Sequence, residues 1–397
     1  MSALTSYRQL FLRPGAGRFF VPAALARLGV AMQSLAILWA VQGASGSFAV
    51  AGLATGSFAV AEALLAPQVA RFVDSRGQRA VAISQLPVFG LATALLLLAV
   101  FRDQATWVWV LSSAVAGVSC PQVGSLAAAR WRHLTGGSAQ VTSALALEAA
   151  VNELTFMLGP ILVTTLSAAV HPSAGLVLAA VLVLVFTTVL MRRRESEPPR
   201  QPRGPGLVLD TRLANAAFLP FVVLHLLLGL YFGGMALCLT AAALSFGAGT
   251  YAGLVAAAGG AASLLTGLLY GSSRRIGAAP AMVGGAALLA VSCFALSQVQ
   301  RFMPFVLLTV LAGACVAPIV IPAAVTLQEE TPRSLYVQAV TWTGSASALG
   351  TAVAGPLVGR LVDQASPQRG YFVLAIILAA LVLTAAILTR GGRRAAS

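Results

Sequence analysis

Continuous apolar runs of eighteen residues or more, broken only by short polar or Gly/Pro punctuation, recur along the whole chain. A hydrocarbon core of about 30 Å takes about 20 residues of helix to cross, so each run is long enough to span a membrane. In lipid every backbone N–H and C=O must be satisfied within the protein, which leaves only helices or closed barrels. Barrel strands would alternate apolar and polar residues over about ten positions; these runs do not alternate. The expected fold is therefore an all-α membrane protein of twelve transmembrane helices. The spans fall near 19–42, 48–70, 81–101, 106–129, 141–169, 174–191, 213–241, 249–270, 279–298, 303–326, 336–361 and 371–389. Charged residues are only 9% of the 397 positions, against about 25% in a soluble chain, so no large soluble domain fits beside the spans.

The arginines set the expected orientation. All 25 basic residues are Arg, and the formal net charge is +14. With the N-terminus placed inside, 20 of them fall on inside segments and three, Arg102, Arg301 and Arg369, on outside loops, while Arg27 and Arg360 lie within spans. Basic loops stay cytoplasmic, so both termini are expected there. This accounts for the basic excess without nucleic acid, since the arginines never interleave with aromatics in a polar stretch. The first apolar segment carries Arg27 and is too long for a signal-peptide core, so it reads as an uncleaved span. Arg without Lys, together with the Ala and Gly bias, fits a GC-rich bacterial genome and an inner-membrane location. The four cysteines lie in apolar stretches at wide spacing and support neither a disulfide framework nor a metal site; no cofactor is expected, and the chain is expected to act as a monomer.

One long polar stretch, Arg192 to Arg212, divides the chain, and its prolines and like charges describe an unstructured cytoplasmic linker. The expected domains are a six-helix bundle over 1–191, the linker over 192–212 and a second six-helix bundle over 213–397. Ala116-Gly117 in the fourth span recurs as Ala312-Gly313 in the tenth, and Gly159-Pro160 in the fifth as Gly355-Pro356 in the eleventh, both 196 residues apart. The shared offset points to a duplicated, pseudo-symmetric unit.

Between the second and third spans the chain reads Ala70-Arg71-Phe72-Val73-Asp74-Ser75-Arg76-Gly77-Gln78-Arg79. It resembles the signature Gly-x-x-x-Asp-Arg-x-Gly-Arg-Arg of the major facilitator superfamily, matching at Asp74, Gly77 and Arg79. The resemblance implies a cytoplasmic gate in which Asp74, supported by Arg71 and Arg79, faces the positive end of a helix of the other half. The corresponding loop of the second half keeps Arg274 and Arg275 but has Gly271 in place of the acid. Gly159-Pro160 is similar to the family's antiporter signature and implies a helix bend; Thr155, Val163 and Thr164 depart from that pattern. Ser113 stands where many proton-coupled exporters of the family carry an Arg, so their standard proton relay is not expected.

An ionised group at bilayer depth needs a partner or a water-filled cavity. Arg27 and Glu62 sit at comparable depth on adjacent spans and are expected to pair, either with Glu62 taking up a proton during transport or as a static structural pair. Glu148 and Asn152 share a helix face, Glu148 as a further proton-coupling or ion-pair candidate and Asn152 as a cavity candidate. Glu153, deeper and just before Gly159-Pro160, is a candidate for a cationic substrate or a proton. His225 lies near the middle of the seventh span; the resemblance implies a cavity lined by helices 1, 4, 7 and 10, into which His225 would face. Gln33, Gln122, Tyr231 and Trp342 are further cavity candidates, beside the reading of each as an ordinary packing residue.

The resemblance implies a secondary transporter, with protons as the expected coupling ion and a small-molecule substrate. Enzyme chemistry would need clustered His, Cys or acids, and a channel would need a ring of charge or a filter loop. A sparsely charged centre suits export of a hydrophobic or cationic compound. Import of a nutrient, lipid translocation and a non-transporting sensor are the alternatives.

Overall fold

The computed structural model describes residues 10–135, 140–200, 218–272, 277–331 and 336–395. Twelve of its spans are long and apolar enough to cross a membrane. They comprise α1 (Ala16–Ser45), α2 (Phe48–Arg76), α3 (Gln78–Phe101), α4 (Thr106–Ser119) with α5 (Val123–Thr135), α6 (Gln140–Ala169) and α7 (Ala174–Arg192) in the first half. The second half holds α8 (Leu219–Ser245), α9 (Ala252–Ser272), α10 (Ala278–Leu296), α11 (Phe302–Ala314) with α12 (Ala317–Glu330), α13 (Tyr336–Gln364) and α14 (Pro367–Ala395). The six-plus-six count agrees with the apolar pattern.

The fourth and tenth spans are not single helices. Cys120 is extended (φ −65°, ψ 123°) between α4 and α5, because the residue before a proline, here Pro121, is driven out of the helical region. Cys315 and Val316 separate α11 from α12, whose first turn carries Pro318. The two breaks lie at equivalent places in the two halves.

The duplication is visible in packing. A Cβ at Gly117 would collide with the Phe58 carbonyl of α2, and one at Gly313 with the Gly259 carbonyl of α9. In both halves the fourth-position helix thus presses its glycine onto the backbone of the second-position helix. Lipid supplies no hydrophobic drive between helices, so such close approach of small residues, gaining dispersion contacts, is what holds them. Between the halves, α2 packs along α13 and α6 along α9. A Cβ on Gly52 would overlap Gly355, and one on Gly56 would lie 2.8 Å from the Ala352 carbonyl.

The segment after α7 departs from the expected free linker. Arg194–Ser196 forms a 3-10 turn, and Ser196 is buried. The fully buried Arg130 of α5 donates to Gln78 Oε1 (2.7 Å), to the Arg193 carbonyl (2.8 Å) and to Ser196 Oγ (2.8 Å). Glu197 Oε1 accepts from the backbone N–H of Arg79 at 3.1 Å, a carboxylate at the positive end of α3. Like charge favours disorder only where nothing absorbs it, and here the first-half bundle does. Residues 201–217, the rest of that linker, lie outside the described ones.

Candidate functional site

A cavity of about 260 Å³ opens between the halves. Its walls come from α1 (Ala31, Ser34, Leu35, Leu38), α2 (Thr55), α6 (Pro160, Thr164), α8 (Phe232, Gly233, Ala236), α9 (Ala252, Gly253, Ala256) and α13 (Thr351, Gly355), among others. No charged side chain lines it. Its threonines donate to helix carbonyls: Thr55 to Ala51 (3.1 Å), Thr164 to Pro160 (2.9 Å), Thr240 to Ala236 (2.8 Å) and Thr351 to Ser347 (3.1 Å). With those hydroxyls engaged, the surface a ligand meets is largely apolar.

The fourth and tenth spans, expected to line the cavity, contribute no described residue to this one; spans 1, 2, 5, 7, 8 and 11 form its walls. Several cavity candidates are turned aside by helical phase, about 100° per residue. Gln33 is 1% exposed in the first-half core, with both amide atoms unpartnered, while its neighbour Ser34 faces the cavity. Tyr231 is buried and its neighbour Phe232 faces the cavity. Asn152 lies two turns from Gly159, which packs on Met32 of its own half and is not a wall residue. Trp342 is exposed, nine residues and about half a turn out of phase from Thr351.

The charged candidates follow a single rule. Arg27, Glu62, Glu153 and His225 each stand seven residues from a wall residue on their own helix, Ser34, Thr55, Pro160 and Phe232 respectively. Seven residues is two turns, about 10 Å along the axis and about 20° out of phase, so each shares its wall residue's face. In all four helices the displacement is toward the face of the bundle that carries the chain termini. A belt of titratable groups therefore lies directly below an apolar cavity.

Within that belt the pairing differs from the sequence expectation. Arg27 does not meet Glu62; it pairs with Glu148 of α6, donating also to that residue's carbonyl at 3.0 Å, while Trp131 Nε1 donates to Glu148 Oε1 at 2.8 Å. Adjacency in sequence favoured α2, but α1 packs equally against α6 and the break before α5 brings Trp131 alongside. Glu62 accepts instead from Gln122 Nε2 at 3.2 Å, Gln122 being the residue after Pro121 in the broken fourth span. Glu62 lies at the middle of the 29-residue α2, which runs on to Arg76. Glu153 is exposed, and among the described residues it joins no ion pair. His225 is half-buried, its Nδ1 2.8 Å from the Phe221 carbonyl.

The gate signature lies at the terminal face. Gly77 alone joins α2 to α3, at φ 93° and ψ 154°, a region open essentially to glycine. The side chains of Arg71 and Asp74 lie outside the described residues, and Arg79 contributes its backbone N–H to Glu197. At Gly159-Pro160, α6 continues unbroken; a Cβ on Gly159 would make ordinary contact with Met32 at 3.5 Å, while a Cβ on Gly253 would collide with the Pro160 carbonyl.

Two pseudo-symmetric six-helix halves around a central cavity define a membrane transporter. Residues 19–335 match the family model of the Major Facilitator Superfamily, and the chain belongs to that family. Among solved structures, the nucleoside transporter NupG in a mutant form is similar at 14% identity, covering 92% of this chain and 98% of that one, with a TM-score of 0.73. An auto-inhibited POT family peptide transporter is similar at 14% identity over 94% and 95% of the two chains, TM-score 0.71. The human organic anion transporter MFSD10 (TETRAN) follows at 15% identity over 93% and 98%, TM-score 0.61. No curated protein matches the sequence.

Proposed function

We propose that the protein is a secondary transporter that works by alternating access and couples proton entry to export of a hydrophobic or cationic small molecule. In this reading both termini are cytoplasmic and the bilayer is a bacterial inner membrane. The observation that carries it is the stacking of an uncharged cavity on a belt holding Glu62 and Glu153. An apolar body fits the walls, and a cationic end two turns lower would meet carboxylates that, among the described residues, join no ion pair. An importer of nucleosides or peptides, the solutes named for two of the similar structures, would need amide or charged groups on the walls to replace lost hydration. The cavity has only hydroxyls.

Glu62 is the proposed proton site. A carboxylate within the bilayer carries a penalty of roughly 2.5 to 3.5 kcal/mol when ionised without a partner, so proton binding and release there change the energy of the open and closed forms. Gln122 donates to Glu62 and gives no charge compensation. The test is flux of lipophilic amines in proteoliposomes under an imposed pH gradient. Wild type concentrates the amine against its gradient, and Glu62→Gln retains counterflow but loses the response to pH. A Glu62→Gln variant that still responds dismisses Glu62, and uptake in the reverse sense dismisses export.

A further inference from the structure

On the face away from the termini, the two halves are joined where one helix begins and another ends. Asp363, in the last turn of α13, accepts from the backbone N–H groups of Phe48 (2.7 Å) and Ala49 (2.9 Å) and from Ser47 Oγ (2.6 Å), all at the start of α2. Gly359, one turn earlier, makes the approach possible, since a Cβ there would lie 2.6 Å from the Phe48 carbonyl and 2.7 Å from Ala49 Cα. The other seam uses a related device: Thr164 Oγ1 of α6 accepts from the Gly253 N–H at the start of α9, 3.0 Å. Each seam thus closes a helix N-terminus of one half with a side chain of the other.

The two caps differ in ways that decide which one can let go. Thr164 is 1% exposed and neutral; Asp363 is exposed and charged. Ser47 already caps α2 from within, its Oγ accepting from Val50 N at 3.2 Å. When Asp363 withdraws, α2 therefore keeps its own cap, and the N–H groups of Phe48 and Ala49 return to water rather than to an apolar interior. A carboxylate on the positive end of a helix favours closure, yet solvent limits its strength. This is a contact able to break without unfolding either helix.

We propose that Asp363 is a positioning residue of the transport cycle: a cross-half helix cap that holds the face away from the termini shut and whose release opens the cavity there. The inference rests on the alternating-access reading and is independent of substrate and coupling ion. It is tested by accessibility, a readout that a merely structural role leaves unmoved. A cysteine placed at Thr55, on the cavity wall, is challenged in sealed vesicles with a membrane-impermeant maleimide applied only to the face away from the termini, sidedness being set by a C-terminal tag. Asp363→Ala is expected to raise the labelling rate about fivefold, the ratio that one lost helix cap corresponds to, and Asp363→Asn, which keeps an acceptor oxygen, to fall between it and wild type. Gly52→Val, which blocks the α2–α13 contact directly, serves as the open reference. If Gly52→Val raises labelling and neither Asp363 variant does, the latch is overturned and alternating access stands. If Gly52→Val also leaves it unchanged in folded protein, alternating access itself fails and the latch with it.

Discussion

Arg27 of α1 grips Glu148 of α6 twice, through the carboxylate and through the backbone carbonyl, while the indole of Trp131 holds the second carboxylate oxygen. Both charged side chains are nearly inaccessible, at 8% and 7% exposure. The pair is thus closed off from the cavity, and its task is to fasten α1, α5 and α6 to one another.

Removing one member leaves an uncompensated buried charge. Glu148→Ala is expected to lower stability by about 3 to 5 kcal/mol, whereas Arg27→Met with Glu148→Leu, which replaces the pair by apolar groups, recovers most of that loss. Thermal unfolding in detergent checks both. The double variant is also expected to keep proton-driven flux; losing it with the fold intact would place the coupling site at Arg27 and Glu148 instead of Glu62.

Two glycines in equally tight places should behave differently. Gly117 meets α2 within the first half, and Gly52 meets α13 of the second. On the alternating-access reading Gly117→Val strains a contact that stays within one half throughout, so its expected signature is a lower unfolding temperature, with overpacking of about 1 to 3 kcal/mol. Gly52→Val, on the same alternating-access reading, strains a contact present in only one state, so flux should stop while the unfolding temperature changes less. Equal effects of both variants on stability would contradict the assignment of Gly52 to a moving seam.

At the terminal face, Gly77→Ala places a Cβ at φ 93° and ψ 154°. The expected penalty is about 1 to 3 kcal/mol, as for other residues held in sparsely populated backbone regions. Contact does not add to it, because the space around Gly77 is open to 3.4 Å. Unfolding of Gly77→Ala beside Gly260→Ala, an α9 glycine with no atom within 4 Å of an added Cβ, separates backbone strain from packing.

Docking of the segment after α7 depends on Arg130. Its bonds to the Arg193 carbonyl and Ser196 Oγ are made by a charged donor, a kind worth about 1.5 to 3 kcal/mol each. Arg130→Met should free the 3-10 turn, and the measurement is tryptic cleavage after Arg193 and Arg194, mapped by peptide mass. Cleavage there as slow as in wild type would show that Glu195, 3.9 Å from the Arg18 guanidinium, and Glu197 hold the segment by themselves.

Much of the fold could be read directly. Span count, the division into halves and the repeated Ala-Gly and Gly-Pro landmarks are one-dimensional signals: an apolar run is a span wherever it lies, and a glycine pressed on a neighbouring backbone leaves its mark at the same offset in both halves. The breaks at Cys120 and Cys315 had a local sign in Pro121 and Pro318, yet prolines also sit inside unbroken helices here, as Pro22, Pro87 and Pro160 do. Only the missing helical bonds in three dimensions tell the two cases apart.

The sequence by itself determined which residues are charged in the membrane, and that Arg27, Glu62, Glu148, Glu153 and His225 must each find a partner or a cavity, because desolvation is a property of the group and its depth. Tertiary structure alone decided the partners. A helix presents about 100° between neighbours, so Gln33 and Tyr231 turn into the core while Ser34 and Phe232 face the cavity, and Arg27 reaches α6 rather than α2. Which face meets which helix is set by packing between segments more than a hundred residues apart, and no local pattern records it.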